Sequence, residues 1–247
     1  MQNRLRHFIL FPAYLVQAGL AYALIPRMCE PDGARHVTVG QGPHLRLLVL
    51  GDSSAAGVGT VIQDKGLFGQ LVQNLADTWT IQATLCAQSG ATAETVLELM
   101  KELEGQDFDI AVISMGLNDA KNGVKRPVWL QNYGVILDQL QSRHGTKRII
   151  VSGLAPIREF PAMRAPLRHY LGDLRDWFDK ALENMVRDRD GIEFLPIGLK
   201  MDHSKMAQDG FHPGPEVYAA WARRIALHVK QGHPENPNPP DPRSTFK

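Results

Sequence analysis

Three side chains in this sequence could together carry out nucleophilic chemistry: Ser53, Asp209 and His212. A serine hydroxyl is a poor nucleophile at its ordinary pKa and needs a neighbouring base to take its proton. His212 could be that base, and Asp209 could fix the tautomer of the imidazole and stabilise the imidazolium. Taken singly, each residue is equally typical of a turn or a helix cap, so the spacing of the whole set has to decide.

Acyl transfer also requires hydrogen-bond donors that face the oxyanion formed in the transition state. The backbone N–H groups of Ser53 and Gly90 and the side-chain amide of Asn118 could provide three such donors. Each donor of this kind is worth roughly 3 to 4 kcal/mol of the barrier. Ser53, Gly90 and Asn118 are therefore the candidate oxyanion hole.

The elements around these residues indicate how they could meet. Leu45 to Leu50 is a short apolar run typical of a strand buried on both faces, and Ser53 follows it directly. Further strands are expected at 79–86, 110–115, 148–152 and 192–196, and helices at 66–77, 93–103, 128–143, 167–189 and 215–229.

Strands that alternate with helices predict an α/β fold: a three-layer α/β/α sandwich around a five-stranded parallel, flavodoxin-like sheet. In such a sheet the loops after the strands share one edge, where ligands bind. Ser53, Gly90 and Asn118 each follow a predicted strand, and residues 209–213 precede the last predicted helix. The sequence therefore predicts that these residues converge at one edge of the sheet.

Four short blocks, in this order, resemble the defining motifs of the SGNH hydrolase superfamily, also called GDSL esterases and lipases. They are Gly51-Asp52-Ser53-Ser54, Gly90 within SGAT, Gly116-Leu117-Asn118-Asp119, and Asp209-Gly210-Phe211-His212-Pro213. The resemblance covers Leu45 to about Lys230 and implies a nucleophile at Ser53, a base at His212 with Asp209 as its partner, and oxyanion donors at Ser53, Gly90 and Asn118. It also implies the three-layer fold and hydrolysis of esters or thioesters without a metal or organic cofactor. Ser54 stands where many members have leucine.

Length and composition fit one such domain with short appendages. The 247 residues are 44% hydrophobic and 21% charged, and 27 basic and 26 acidic residues leave a net charge of +1, which gives no sign of a nucleic-acid partner. Two cysteines are too few for a disulfide framework. We divide the chain into a hydrophobic N-terminal segment (1–28), a linker (29–44), the hydrolase domain (45–232) and a proline-rich tail (233–247).

The N-terminal segment has a membrane-like composition. Arg4 and Arg6 precede an uncharged stretch from Phe8 to Pro26, which is long enough for a signal peptide or a single membrane anchor. The alternative is an amphipathic helix lying on the globular body or on a membrane surface. We expect an exported or membrane-associated protein, and the sequence leaves its oligomeric state open.

Several other functions have to be weighed against a serine esterase. An acyltransferase or thioesterase would use the same acyl-enzyme, and a non-catalytic ester- or glycan-binding module would keep only the fold. A metal site formed by Asp202, His203, Asp209 and His212 would leave the candidate oxyanion donors without a role. For the esterase we expect small-molecule esters with short to medium acyl groups, either lipid-derived or acetylated, with apolar residues at the pocket drawn from Val124, Trp129, Phe160, Met163 and Phe211.

Overall fold

A computed structural model describes residues 2–232, with side chains from His7 onward. The predicted proline-rich tail, residues 233–247, lies outside the described residues. The helices are α1 (Gln2–Leu24), α2 (Ser53–Ala56), α3 (Leu67–Leu75), α4 (Ala93–Leu99), α5 (Leu117–Lys121), α6 (Arg126–Ser142), α7 (Leu167–Val186) and α8 (Pro215–Gln231). The strands are β1 (His36–Val39), β2 (His44–Gly51), β3 (Thr80–Ala87), β4 (Ile110–Ser114), β5 (Arg148–Ser152) and β6 (Ile192–Leu195).

The predicted α/β/α architecture is confirmed. The sheet has the order β1-β3-β2-β4-β5-β6, and all neighbours from β3 to β6 are parallel. Alternate residues of each central strand enter two separate cores. Leu47 and Val49 join a core with side chains of α3 and α8, and Leu48 and Leu50 join a second core with side chains of α4, α6 and α7. Because both faces of the sheet are covered, its strands read as continuous apolar runs.

The predicted strand count is wrong by one, and the sheet is mixed where an all-parallel one was predicted. β1 pairs antiparallel with the outer edge of β3, with Val37 opposite Ala83. It lies within the predicted linker, residues 29–44. The four-residue strand His-Val-Thr-Val is mostly exposed. Glycines and a proline surround its β-branched residues, so the sequence resembles a linker more than a strand. Only the pairing with β3 defines it as a strand.

The N-terminal segment forms a helix, α1. Its stretch from His7 to Leu24 has a mean hydropathy of 1.4 and is long and apolar enough to cross a membrane, a test that a signal sequence also passes. Helix α1 packs on α7, and Ala21 near its end contacts the core beside α3 and α8.

Candidate active site

The candidate nucleophile lies at the point where the order of the parallel strands reverses. β2 pairs with β3 on one side and with β4 on the other, so the loops that leave β2 and β4 diverge to opposite faces. In doubly wound sheets the crevice outside this point is where ligands bind. Ser53 follows β2 and Asn118 follows β4, so the topology brings these two predicted site residues to one crevice.

Ser53 begins a very short helix, α2, that leaves the sheet through a tight turn. Gly51 has φ +154°, and a Cβ atom built on it would lie 2.0 Å from the carbonyl oxygen of Ser114. Only glycine fits so close to β4. Asp52 then caps α2, because its side chain accepts a hydrogen bond from the Ser54 N–H at 3.0 Å. The sharp turn therefore presents the Ser53 side chain at the edge of the sheet.

The carboxylate of Asp209 organises the loop before α8. Its Oδ1 accepts hydrogen bonds from the backbone N–H groups of Phe211 (2.9 Å) and His212 (3.0 Å). Its Oδ2 lies 2.6 Å from Nδ1 of His212. Burial alone raises the pKa of Asp209, but the hydrogen bonds from the His212 ring and from the two backbone N–H groups outweigh it, so the pKa lies below its usual value. Asp209 is thus held ionised against the imidazole.

Two contacts hold the serine loop against the histidine loop. Gly59 has φ +108°, and a Cβ atom there would lie 2.2 Å from the carbonyl oxygen of Pro213 and 3.2 Å from Cβ of His212. Tyr218 of α8 is buried and donates its hydroxyl hydrogen bond to the carbonyl of Val58 at 2.7 Å. The absence of a side chain at Gly59 therefore allows the two loops to touch.

The three predicted residues form one chain of hydrogen bonds. Nε2 of His212 lies 3.1 Å from Oγ of Ser53, and Nδ1 of the same ring lies 2.6 Å from Asp209. Ser53 and Asp209 are 159 and 3 positions from His212 in the sequence. A serine, a base within hydrogen-bond reach and a carboxylate that orients the base are the requirements for an activated nucleophile.

The candidate oxyanion donors are brought together less completely. Asn118 is buried and lines the same cleft as Ser53, and its Nδ2 donates to the carbonyl of Ala91 at 3.0 Å. Gly90 precedes Ala91 in the loop after β3, is exposed and has φ +80°. Among the described residues the cleft lining includes Ser53 and Asn118 but not Gly90. The Asn118 side chain therefore ties the Gly90 loop to the site through Ala91.

Two buried carboxylates beside the site were not predicted from the sequence. Oδ2 of Asp52 accepts a long hydrogen bond, 3.4 Å, from Nδ2 of Asn118, and both carboxylate oxygens of Asp119 lie 3.1 Å from the backbone N of Ala93. Burial raises the pKa of Asp52 to about 6 and that of Asp119 to about 6. Their positions within the Gly-Asp-Ser-Ser and Gly-Leu-Asn-Asp blocks were the available signal. Asp119 fixes the start of α4, directly after the Gly90 loop.

A small cleft, partly open to solvent, lies in front of Ser53. Its walls are largely apolar and include Met115, Leu117, Leu154, Phe160 and Phe211. Of the five apolar residues suggested from the sequence, Phe160 and Phe211 line this cleft. Trp129 does not; it is fully buried and packs on Phe178 in the core. Val124 and Met163 are also absent from the lining and pack with the two cores.

The alternative metal site is not assembled. Within residues 7–232, no group of three or more His, Cys, Asp or Glu side chains is arranged to hold a metal ion. Asp202 instead caps the turn at 203–205 by accepting from the Ser204 N–H at 3.0 Å. Asp209 and His212 contact each other, and His212 also contacts Ser53.

The match to a known protein family shows to which family this chain belongs. Residues 49–220 match the model of the GDSL-like Lipase/Acylhydrolase family, and this range contains all four sequence blocks. The chain belongs to this family. The resemblance stated from the motifs is thereby confirmed, and the GDSL-like protein is a carboxylic ester hydrolase, as predicted.

Solved structures share the fold of this GDSL-like hydrolase at low sequence identity. The psychrotrophic esterase EstA from Pseudoalteromonas sp., in a structure inhibited by monoethylphosphonate, aligns with a TM-score of 0.61 and 17% identity over 75% of this chain and 96% of its own. The structure of TesA aligns with a TM-score of 0.59 and 20% identity over 73% and 95% of the two chains. The lipase/acylhydrolase from Enterococcus faecalis aligns with a TM-score of 0.52 and 16% identity over 75% and 95%. No curated protein sequence matches the chain.

Proposed function

We propose that this protein hydrolyses carboxylic esters through an acyl-enzyme on Ser53. The observation that carries the proposal is the continuous path from Oγ of Ser53 to Nε2 of His212 (3.1 Å) and from Nδ1 to Asp209 (2.6 Å). In the first step Nε2 accepts the hydroxyl proton while Oγ attacks the carbonyl carbon of the ester. The imidazolium then gives this proton to the departing alkoxide, and the acyl group remains on Ser53.

Hydrolysis of the acyl-enzyme uses the same groups in a second cycle. A water molecule attacks the acyl carbon while His212 takes a proton from it, and the proton returns to Oγ of Ser53 as the carboxylic acid leaves. The ionised Asp209 keeps Nδ1 protonated, so Nε2 is free to act as the base in both steps. The lowered pKa of Asp209 supports this role across the neutral range.

The negative charge of each tetrahedral intermediate requires donors, and we propose the N–H groups of Ser53 and Gly90 and the side-chain amide of Asn118. The Ser53 N–H lies in the first turn of α2, where backbone N–H groups have no acceptor within the helix. Nδ2 of Asn118 carries two hydrogens, and the bond to Ala91 uses one of them. The second hydrogen is available to the oxyanion, and without substrate it makes the long contact with Asp52.

The cleft supports a substrate with a short to medium acyl group. Its apolar walls offer burial to a few methylene groups, each worth about 0.8 kcal/mol. Phe160 and Phe211 pack edge to face at 5.2 Å between ring centroids, and both line the cleft. We expect their rings to limit the chain length that the site accepts.

A chain-length series of p-nitrophenyl esters, from acetate upward, tests this proposal with the wild-type protein and Ser53→Ala. We expect turnover that is strongest for short to medium chains and absent in the variant, whose circular dichroism spectrum and melting temperature should match those of the wild type. A fluorophosphonate probe should label Ser53, in line with the EstA structure described as inhibited by monoethylphosphonate. A folded wild-type protein that neither turns over these esters nor takes the label would contradict catalysis at Ser53.

A further inference from the structure

Helix α1 is docked on the hydrolase domain by specific contacts. Tyr14 is buried and stacks on Tyr170 of α7 with 4.8 Å between ring centroids. Gln17 makes a reciprocal pair of hydrogen bonds with the backbone at the start of α7: its Nε2 donates to the carbonyl of Ala165 at 2.7 Å, and its Oε1 accepts from the Leu167 N–H at 2.9 Å. A matched donor and acceptor fix both the position and the rotation of the helix.

The contacts run along one side of α1. His7 lies 3.0 Å from the Tyr14 hydroxyl through Nδ1 and 3.6 Å from Asp173 of α7 through Nε2, and Ala21 packs against the core. His7, Tyr14, Gln17 and Ala21 follow the spacing of one helix face. From His7 to Ala21 the helix rises about 21 Å along the domain. While these contacts persist, α1 cannot span a bilayer, because the domain covers one side of the helix.

The opposite side of α1 is apolar and exposed. We call it the outer face; its large residues, each at least 51% exposed, are Phe8, Ile9, Phe11, Leu15, Val16, Leu20, Tyr22 and Leu24. The sequence has no Asp, Glu, Lys or Arg between His7 and Pro26. Soluble monomers rarely expose a continuous apolar surface of this kind, which marks a membrane or protein interface.

The charges around the outer face favour an anionic lipid surface as the partner of this face. In the sequence, Arg4 and Arg6 precede the outer face and Arg27 follows it. Arg164 and Arg168 flank the backbone groups that Gln17 binds, and neither has an ion-pair partner among residues 7–232. Basic residues beside an apolar helix face are the composition of helices that lie in the interface of anionic membranes.

The nearby acidic residues do not cancel this positive charge. Asp173 and Asp176 on α7 are both paired with Arg158. Arg158 offsets one of these two negative charges, and Arg175, which lies 3.3 Å from Asp176, shares in offsetting the other. The basic residues that flank the outer face remain available to lipid phosphates.

We propose that α1 is retained in the mature protein and lies in the plane of an anionic bilayer. One side stays docked on α7 through Tyr14 and Gln17, and the outer face enters the boundary between headgroups and acyl chains. This inference concerns attachment and is independent of the chemistry proposed at Ser53. It differs from both a cleaved signal peptide and a spanning anchor.

A cross-linking experiment separates these possibilities. In the full chain carrying Cys29→Ser, Tyr14→Cys and Tyr170→Cys are joined by a short bifunctional thiol reagent, which fixes α1 on α7. Flotation with phosphatidylcholine vesicles containing phosphatidylglycerol then measures membrane binding. We expect the cross-linked and untreated proteins to float equally and alkaline carbonate to release both. Loss of flotation on cross-linking, or resistance of the cross-linked protein to carbonate, would overturn the proposal.

Matched serine variants test the outer face itself. Phe8→Ser with Leu15→Ser should weaken vesicle binding at least about tenfold, because the pair removes two large apolar side chains from the lipid. Val128→Ser with Val135→Ser, at exposed positions on α6, should leave binding unchanged. Equal loss in both pairs, no loss in either, or a mature chain whose intact mass lacks α1 would each contradict the proposal.

Discussion

Replacing Asp209 by asparagine would separate two roles of one side chain. Oδ1 accepts hydrogen bonds from the backbone N–H groups of Phe211 and His212, at 2.9 and 3.0 Å, whereas Oδ2 lies 2.6 Å from Nδ1 of His212. In Asp209→Asn the amide oxygen can keep the Oδ1 position and the loop. The amide nitrogen then faces Nδ1, and since it donates, Nδ1 must be the unprotonated nitrogen. The ring proton moves to Nε2, which can no longer accept the proton of Ser53.

The size of the expected fall in kcat follows from this change of tautomer. We expect kcat of Asp209→Asn to fall by about 10⁴, equivalent to about 5.5 kcal/mol of barrier. The fold should lose little, about 1 kcal/mol, because both backbone bonds to Oδ1 remain and one neutral hydrogen bond replaces a charge-assisted one. Asp209→Ala removes all three bonds, so its unfolding free energy should fall by about 2 to 4 kcal/mol. The asparagine variant is therefore inactive and stable, and the alanine variant is clearly destabilised.

Steady-state hydrolysis of p-nitrophenyl butyrate and urea unfolding at neutral pH measure the two effects. Wild-type protein and Ser53→Ala provide the limits of full and absent turnover. The low pKa of Asp209 adds a check, since the stability that it contributes is present above its unfolded pKa, about 4, and is lost as pH falls through its lower folded value. The difference in unfolding free energy between wild type and Asp209→Asn should shrink as the pH is lowered. A kcat within tenfold of wild type, or equal stability of the two variants, would refute this division of roles.

Two further predictions concern the groups around the triad. Asn118→Ala should lower kcat by about 10² to 10³ with little change in KM, since an oxyanion donor acts mainly in the transition state; an unchanged kcat in the same ester assay would remove Asn118 from that role. Burial raises the pKa of Asp52 to about 6, so folding favours the neutral form of this carboxyl. The free energy of unfolding should therefore fall by up to about 3 kcal/mol as the pH rises from about 4 to about 6. Asp52→Asn should flatten that part of the profile in urea titrations, and a profile identical to wild type would show that another group is responsible.

The positions of the candidate catalytic residues could be predicted because local sequence and topology agree there. The apolar run 45–50 is short and ends at a glycine, so it could be read as a buried strand with Ser53 at its end. Once the sheet is parallel, the ends of β2 and β4 must share an edge, and Ser53 and Asn118 follow without knowledge of any side-chain contact. His212 could be added because it follows Asp209 closely and precedes a predicted helix.

The features that sequence reasoning missed depend on long-range contacts. β1 has four mostly exposed residues and exists through its pairing with β3, more than forty residues later in the chain. Trp129 and Phe160 look equally suited to an apolar pocket, and both are buried in a core, yet only Phe160 also lines the cleft. The docking of α1 rests on Gln17 and residues 165–167, which are about 150 positions apart in sequence.

The segment from Phe160 to Leu167 connects the site with the membrane-facing helix that we propose. Phe160 lines the cleft, Ala162 donates its N–H to the carbonyl of Gly210 at 3.1 Å, and Leu167 donates to Gln17 of α1. One short stretch therefore touches the substrate wall, the loop that carries His212, and the docked helix. His212 is fixed separately by the three bonds of Asp209, so a shift of this stretch reaches the wall at Phe160 more readily than the triad.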